Sequence, residues 1–281
     1  MIPVPVKNIA RFLMHRRAWR FVSFDYCPVC DTRSMIVYSR ELEQWLADLT
    51  ASWEAGEDFK HMLAMRENFL CVTCMANSRM RMLARTVLDL CGHATSGDLA
   101  RRLRSDPQFS VYETAAYNIF RIDALKACPR YVVSEYLAPD RFGETIGGVR
   151  NESLECLTFP DNSFDVVINS DVLEHVADLH KSLEEVRRVL KPGGYHVLTV
   201  PVDYSLEHTV ERARMGQGGI EYLRSPVMHG DTVRNTGVLV FRDFGRDAAS
   251  CLSREGFPCL EMQLPGRHGE IASVFIGKKA A

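Results

Sequence analysis

The hydrophobic and polar positions along the chain fall into two textures. Up to about residue 108 the apolar residues recur at helical spacing. Leu42, Trp45, Leu46, Leu49 and Trp53 predict a helix over 40–53. Met80, Leu83, Val87 and Leu90 predict a second from about Asn77, with Gly92 as its stop. A third is expected over 96–104, ahead of the Asp106-Pro107 break. From about residue 109, short apolar runs at 110–115, 131–136, 164–169 and 195–200 predict strands, and a helical pattern at 178–190 separates the last two. Near the end, 247–255 reads as a helix, and 259–264 and 272–278 read as strands. Alternation of this kind predicts an α/β fold, a doubly wound and mostly parallel sheet.

Residues 1–26 place Ile9, Phe12, Leu13, Trp19 and Phe21 among arginines. This basic, amphipathic arm would suit a membrane surface or RNA; the plainer reading, a helix docked on the rest of the protein with its arginines solvated, is preferred. The remainder divides into a small unit at 27–108 and the α/β domain at 109–281. With 281 residues, 46% of them hydrophobic and 25% charged, the chain has room for this division and a real core. A net charge of −2 excludes a general pull toward nucleic acid or anionic membrane. No apolar run approaches the about 18 residues of a membrane span. Lys7, Arg11, Arg16, Arg17 and Arg20 break any signal-peptide pattern, so a cytoplasmic protein is expected.

Nine cysteines are present, four of them as the pairs Cys27-Pro28-Val29-Cys30 and Cys71-Val72-Thr73-Cys74. Each pair makes a tight turn that aims two thiolates at one point. Two such turns supply a tetrahedral set of four sulfurs, which suits structural Zn²⁺ and leaves no open position for catalysis. The long segment between them, residues 31–70, implies that the metal staples the ends of an inserted helical segment, making 27–108 a zinc-binding helical module. A redox pair or packed free thiols are the alternatives. Cys91, Cys128, Cys156, Cys251 and Cys259 occur singly and are expected as core packing.

The most informative stretch runs from Leu157-Thr158-Phe159-Pro160-Asp161-Asn162-Ser163-Phe164-Asp165-Val166-Val167 through Leu173-Glu174-His175-Val176 to Arg188-Val189-Leu190-Lys191-Pro192-Gly193-Gly194. Pro160 to Ser163 is a turn feeding a buried strand, which ends in the polar group Asn169, Ser170 and Asp171. Ligands of open α/β sheets bind beyond the carboxyl ends of the strands, so these side chains should face a site. Gly193-Gly194 allows the turn into the next strand.

These three pieces, in this order, closely resemble the fourth-strand to fifth-strand region of class I S-adenosylmethionine-dependent methyltransferases, the group that includes the ubiquinone-type enzymes. The resemblance covers 109–281 and implies a Rossmann-like, seven-stranded sheet binding S-adenosylmethionine. It implies that Glu113, Thr114 and Ala115 form the turn against the methionine part of the cofactor, although the usual glycines are replaced by alanine. Holding alanine at positive φ costs about 1–2 kcal/mol, so a different backbone path is an alternative. Glu135, near the offset of about 20 residues expected of a ribose-binding acid, should grip the ribose, with Tyr136 beside it. Ser153 and Leu154 stand where the family places its adenine contacts, Ser153 being weaker than the usual Asp. Asn169 and Asp171 complete the cofactor set. Ser134-Glu135-Tyr136, His229-Gly230-Asp231 and the run Phe241-Arg242-Asp243-Phe244-Gly245-Arg246-Asp247 resemble a narrower bacterial group associated with surface-glycan and similar small-molecule pathways; Thr232 departs from the proline often found there.

Methyl transfer is an in-line displacement in which the protein positions the partners and, for an oxygen or nitrogen acceptor, often supplies a base. The segment 201–245 is where this fold builds its acceptor cap, and it holds Tyr204, His208, Tyr222, His229, Asp231 and Arg234. His229 is the first candidate base and His175 the second, His175 serving equally well as a packing or helix-start residue. The expected acceptor is a small molecule or glycan. A zinc-ribbon RNA methyltransferase and a non-catalytic scaffold of the same fold are the alternatives.

Overall fold

The computed structural model describes residues 19–281 except 52, 54, 116–118, 230–236 and 267–268. Most of the basic arm, together with Ala116, Asp231, Thr232 and Arg234, lies outside the described residues.

The chain opens as a hairpin. β1 (Trp19–Cys27) pairs antiparallel with β2 (Thr32–Ser39), so the expected arm boundary at 26 falls inside a strand. The aromatic and β-branched run Trp19-Arg20-Phe21-Val22-Ser23-Phe24 favours a pleated ribbon over a helix, and the Cys27-Cys30 turn closes it. Two helices follow, α1 (Arg40–Thr50) and α2 (Glu57–Glu67). Ser39 caps α1 by accepting from the Leu42 N–H. Sequence periodicity does not reveal α2, because its apolar residues do not gather on one face. β3 (Leu70–Cys71) then adds to β2.

α3 (Ser78–Leu90) and α4 (Ser96–Ser105) match their predicted spans closely. Asn77 caps α3 by accepting from Met80. Gly92, at φ 71°, ends it: its N–H bonds the Asp89 carbonyl and the His93 N–H bonds that of Leu88, a Schellman closure. Thr95 and Asp98 form a capping box on α4.

The central sheet is built from β4 (Val111–Thr114), β5 (Tyr131–Glu135), β6 (Thr145–Ile146), β7 (Val149–Asn151), β8 (Phe164–Ser170), β9 (Leu190–Thr199), β16 (Cys259–Pro265) and β17 (Ile271–Lys278), with the short helix α5 (Asp123–Lys126) before β5 and α6 (Leu179–Val189) between β8 and β9. Its order is β16-β17-β9-β8-β4-β5-β7-β6. The five strands β9, β8, β4, β5 and β7 run parallel, and β17 is antiparallel to both its neighbours. The sheet has eight strands where seven were expected. The extra one, β6, folds back on β7 through Gly147-Gly148, both at positive φ as a tight hairpin turn demands. Lys191 to Gly194 is a bulge inside β9 rather than a turn before it, since Phe164 pairs with Leu190 and Val166 with Tyr195.

Between β9 and the last strands lies a cap of short ribbons: β10 (Val210–Glu211), β11 (Ala213–Gly216), β12 (Gly219–Tyr222), β13 (Met228–His229), β14 (Val238–Leu239) and β15 (Arg242–Asp243). α7 (Ala248–Cys251) is shorter than the predicted 247–255 helix.

Alternating strand residues fill two cores. On one face Val111, Val166, Ile168, Val197 and Val274 meet Met80, Leu83 and Val87 of α3 and Leu99 and Leu103 of α4. Cys27, Val29 and Ile36 of the first hairpin belong to this same core, so the N-terminal residues form one of the two layers that cover the sheet. On the other face Tyr112, Val167, Leu198 and Phe275 meet Leu183 and Val186 of α6 and Phe244, Ala248 and Leu252 near α7. Among the isolated cysteines, Cys128 and Cys259 are buried as expected, but Cys156 is exposed. Among the described residues no helix is long and apolar enough to cross a membrane.

Candidate active site and four-cysteine centre

The two cysteine turns are built alike. Asp31 donates its N–H to the Cys27 carbonyl at 2.9 Å, and Met75 donates to that of Cys71 at 2.7 Å. Both donors sit in the left-handed region, at φ 59° and 61°. The Sγ atoms of Cys27 and Cys74 are 3.7 Å apart and those of Cys30 and Cys71 3.9 Å, and all four sulfurs lie within 4.8 Å of one another. A tetrahedral zinc site with bonds of about 2.3 Å places its sulfurs about 3.8 Å apart. The thiols shift one another's ionisation: the hydrogen bond with Cys71 pushes Cys27 up to about 12, and contact with Cys27 and Cys71 pushes Cys74 up. A divalent cation reverses this logic by holding thiolates. The donor set and spacing fit Zn²⁺.

This centre grips the chain beyond β4. The Arg121 N–H donates to the Val29 carbonyl at 2.6 Å, and its guanidinium donates to the Cys74 carbonyl at 2.5 Å. Ser96 Oγ donates to the carbonyl of Pro28.

Strand order reverses between β4 and β8, and the crevice at their carboxyl ends is where such sheets bind ligands. Parallel register brings the predicted cofactor residues to this edge: Thr114 lies beside Ser134 and Asn169, and Glu135 beside Asn151, just before Ser153 and Leu154. Glu113 is buried. Its carboxylate accepts from the Ile119 N–H at 2.8 Å and from Tyr131 Oη at 2.5 Å, which ties β4 to Ile119 and to β5. Ala115 stands at φ 60°. The chain therefore keeps a left-handed path at this residue, and the different path allowed for in the sequence is not taken there.

Glu135 ends β5 half-buried and accepts from the Tyr136 N–H at 3.0 Å; the Tyr136 side chain is exposed. Ser153 opens a tight turn, its Oγ accepting from the Glu155 N–H at 3.2 Å, while Leu154 is buried in the second core.

Asn169 and Asp171 are engaged internally. Asn169 donates to Thr114 Oγ1 and accepts from His196 Nε2. Burial alone would raise the Asp171 carboxyl, but the charges of Arg66 and Arg79 outweigh it and hold the group well below the usual carboxylate range. Arg66 makes a bidentate pair with Asp171 at 2.9 and 3.1 Å, and Thr199 Oγ1 donates to it at 2.8 Å. Arg79 Nε lies 3.2 Å from Asp171 and 2.6 Å from Glu67. Both arginines are buried, Arg66 at 2% exposure. Neither was singled out in the sequence. Arg66 lies on the helix that periodicity hides, and Arg79, just after the second cysteine turn, gives in the sequence no sign of its buried partner.

On the cap side the two candidate bases meet. The His175 and His229 rings stand edge to face with centroids 4.9 Å apart, and His229 stacks on Trp53 at 5.1 Å. Burial, then the neighbouring His175, push His229 down to about 3, so it is a neutral and weakly basic imidazole at pH 7. His175 Nδ1 lies 2.9 Å from the Leu239 carbonyl. Glu174, fully buried, is pushed well up by burial and by the Asp171 charge. Arg242 fixes this loop by donating to the carbonyls of Leu173, Val176 and Ala177 at 2.6–3.1 Å. A small cavity beside it is lined by Trp53, Asp203, Arg212, Arg224, His229 and Arg242.

Residues 114–198 match the family model described as a methyltransferase domain. This stretch of the chain carries the methyltransferase signature, on a sheet of Rossmann-like order. Among curated relatives, the ubiquinone/menaquinone biosynthesis C-methyltransferase UbiE of Hydrogenovibrio crunogenus is 58% identical over 40 residues, covering 14% of this chain and 16% of that protein. A ubiquinone biosynthesis O-methyltransferase of Cereibacter sphaeroides is 43% identical over 68 residues, covering 24% and 27%. The matches thus span about a quarter or less of these relatives' own length. The 1,6-didemethyltoxoflavin-N1-methyltransferase of Burkholderia thailandensis, solved with bound 1,6-didemethyltoxoflavin and S-adenosylhomocysteine, aligns over 89% of this chain and 97% of that one at 14% identity. Its TM-score is 0.38, too low to carry a functional argument.

Proposed function

We propose that this protein is an S-adenosylmethionine-dependent methyltransferase whose acceptor is a small molecule or glycan-type compound, methylated at oxygen or nitrogen. The observation that carries the reading is the crevice at the β4/β8 reversal within the matched segment, where Ala115 holds a left-handed turn at the tip of β4. A turn of this kind brings backbone amides close to a bound group. Glu113 anchors it from beneath, and Glu135 stands at the next strand tip as the ribose-binding acid, with Tyr136, Ser153 and Leu154 toward the adenine. The bound cofactor would supply an electrophilic methyl group on sulfonium. The chain's own residues orient the acceptor and keep water out, His229 and His175 lying on the cap side where an acceptor would enter.

The four cysteines are proposed to hold a structural Zn²⁺ that braces, through Arg121, the chain leaving the cofactor turn. Metal analysis finding well under one zinc per chain would remove this part. A site of reduced thiolates suits the cytoplasm.

Transfer of labelled methyl from S-adenosylmethionine to a panel of hydroxylated and aminated sugars and other small metabolites tests the acceptor class. Label reaching RNA instead, with affinity falling steeply as salt rises, would favour the RNA reading. Engagement of Asn169 and Asp171 by internal partners is what favours the non-catalytic scaffold, and cofactor binding decides that point.

A further inference from the structure

We propose that Glu174, His175 and His229 form a second metal site, one that takes a divalent first-row cation of the manganese or iron type and presents it to a hydroxyl-bearing acceptor in the cap cavity. Two independent observations carry this. The first is convergence. One carboxylate oxygen and one ring nitrogen from each histidine lie within 4.8 Å of one another, although Glu174 and His175 follow β8 and His229 ends β13. Ligands bonded at about 2.1 Å to one ion stand about 3.0–4.2 Å apart, so the group needs only a small contraction across its widest pair. His175 Nε2 and Glu174 Oε1 are already at 3.7 Å.

The second is the state of Glu174. It is 0% exposed, and among the described residues neither carboxylate oxygen has a hydrogen-bond partner. A buried carboxylate in that position is costly unless a cation or proton meets it. The nearby guanidiniums of Arg66 and Arg79 bond Asp171 and Glu67, and Arg242 donates through its two terminal nitrogens to backbone carbonyls, so none of the three hydrogen-bonds Glu174. The loop itself is fixed as a ligand-bearing loop needs to be. The Phe241 N–H donates to the Glu174 carbonyl at 2.8 Å. A carbonyl only accepts, so His175 Nδ1 carries the proton at Leu239, which leaves Nε2 as its metal-facing atom.

One carboxylate and two imidazoles, with no thiolate, suit manganese, iron, cobalt or zinc, and three protein ligands leave positions open for a substrate. His229 also lines the cap cavity. An acceptor hydroxyl bound there would lose its proton to water more readily. The oxygen would then bond the methyl carbon as the carbon–sulfur bond breaks, its electron pair staying on sulfur. This acceptor role rests on the methyltransferase reading, whereas the metal site does not.

The test titrates the full chain, loaded with no more than one equivalent of zinc so that the four thiolates take it and the second site stays free of it, with Mn²⁺, a probe poorly suited to the thiolate centre, and reads free Mn²⁺ by its electron paramagnetic resonance signal. About one Mn²⁺ per chain is expected, with affinity falling more than about tenfold in Glu174→Gln and in His229→Ala. Circular dichroism and zinc content should stay unchanged in Glu174→Gln, which keeps the side-chain shape. No Mn²⁺ bound by the parent up to millimolar concentration, or equal binding in parent and both variants, overturns the site. Calorimetry with S-adenosylmethionine on the same samples separates the two ideas. Mn²⁺ binding without cofactor binding keeps the metal site and removes the methyltransferase reading; cofactor binding without Mn²⁺ does the reverse.

Discussion

Two regions of this chain gather metal-type ligands, and they do so in opposite ways. The four-cysteine centre is made by two short turns, each fixed by a bond from the fourth residue after its first cysteine. Local spacing dictates most of its geometry. The Glu174-His175-His229 cluster has no such turn. It exists because Arg242 and Phe241 hold the loop after β8 against the cap, and because Trp53 supplies a surface on which His229 stacks. Ligands close in sequence announce themselves, while ligands brought together by packing are found only once the packing is known.

The comparison sharpens if each region is broken in turn. Loss of the cysteine centre should have the largest effect, because its hairpin shares the core beneath the sheet. Cys74→Ser, or chelation of the metal, should remove zinc and lower unfolding stability by about 4–5 kcal/mol or more, read by denaturation alongside metal analysis. Cofactor affinity should fall with it, because Arg121 joins the two.

Next is Asp171→Asn, which leaves Arg66 and Arg79 buried with one carboxylate fewer. Removing one partner of a buried pair costs about 3–5 kcal/mol, measurable by urea unfolding. A loss under about 1 kcal/mol, the range of surface ion pairs, would mean that this network is only a surface-like contact.

A smaller effect lies in the pH profile. Burial pushes His196 down to about 3 from its ordinary 6.5. The unfolded chain then binds the extra proton first, so this contribution is complete above about pH 6.5 and is lost as pH falls toward 3. His196→Gln should flatten the slope of stability in that window. An unchanged slope would place the acid sensitivity elsewhere, for instance in the thiolates.

The smallest is Ala115→Gly. Glycine accepts the left-handed turn without strain, and the variant should gain about 1 kcal/mol. A loss of stability instead would show that the alanine methyl makes a contact worth more than the relief.

How much was legible in the sequence follows the same division. The long strands β4, β5, β8, β9, β16 and β17 and the helix α6 emerge from periodicity because β-sheet strands buried on both faces read as apolar runs, whereas the short ribbons of the cap do not. β1 was misread because Trp19 and Phe21 alone fit an amphipathic helix as well as a ribbon. β6 and its Gly-Gly turn were visible but too short to register as a strand. The cysteine ligands came from spacing, and Glu113, Thr114, Ala115, Glu135 and Asn169 were placed at one edge through family resemblance. Resemblance could not reveal that Asn169 and Asp171 are engaged from within, because Arg66, Arg79 and His196 reach them from elements far away in the chain. Glu174 stood in plain view beside His175, and only its burial, with no hydrogen-bond partner among the described residues, marks it as unusual.

Calorimetric titration of zinc-replete protein with S-adenosylmethionine and S-adenosylhomocysteine, beside a Glu135→Ala variant, tests the central claim most directly. The account predicts micromolar binding of both ligands by the parent and its loss in the variant. Absence of binding by the parent up to millimolar concentration would contradict it and leave the sheet as a scaffold.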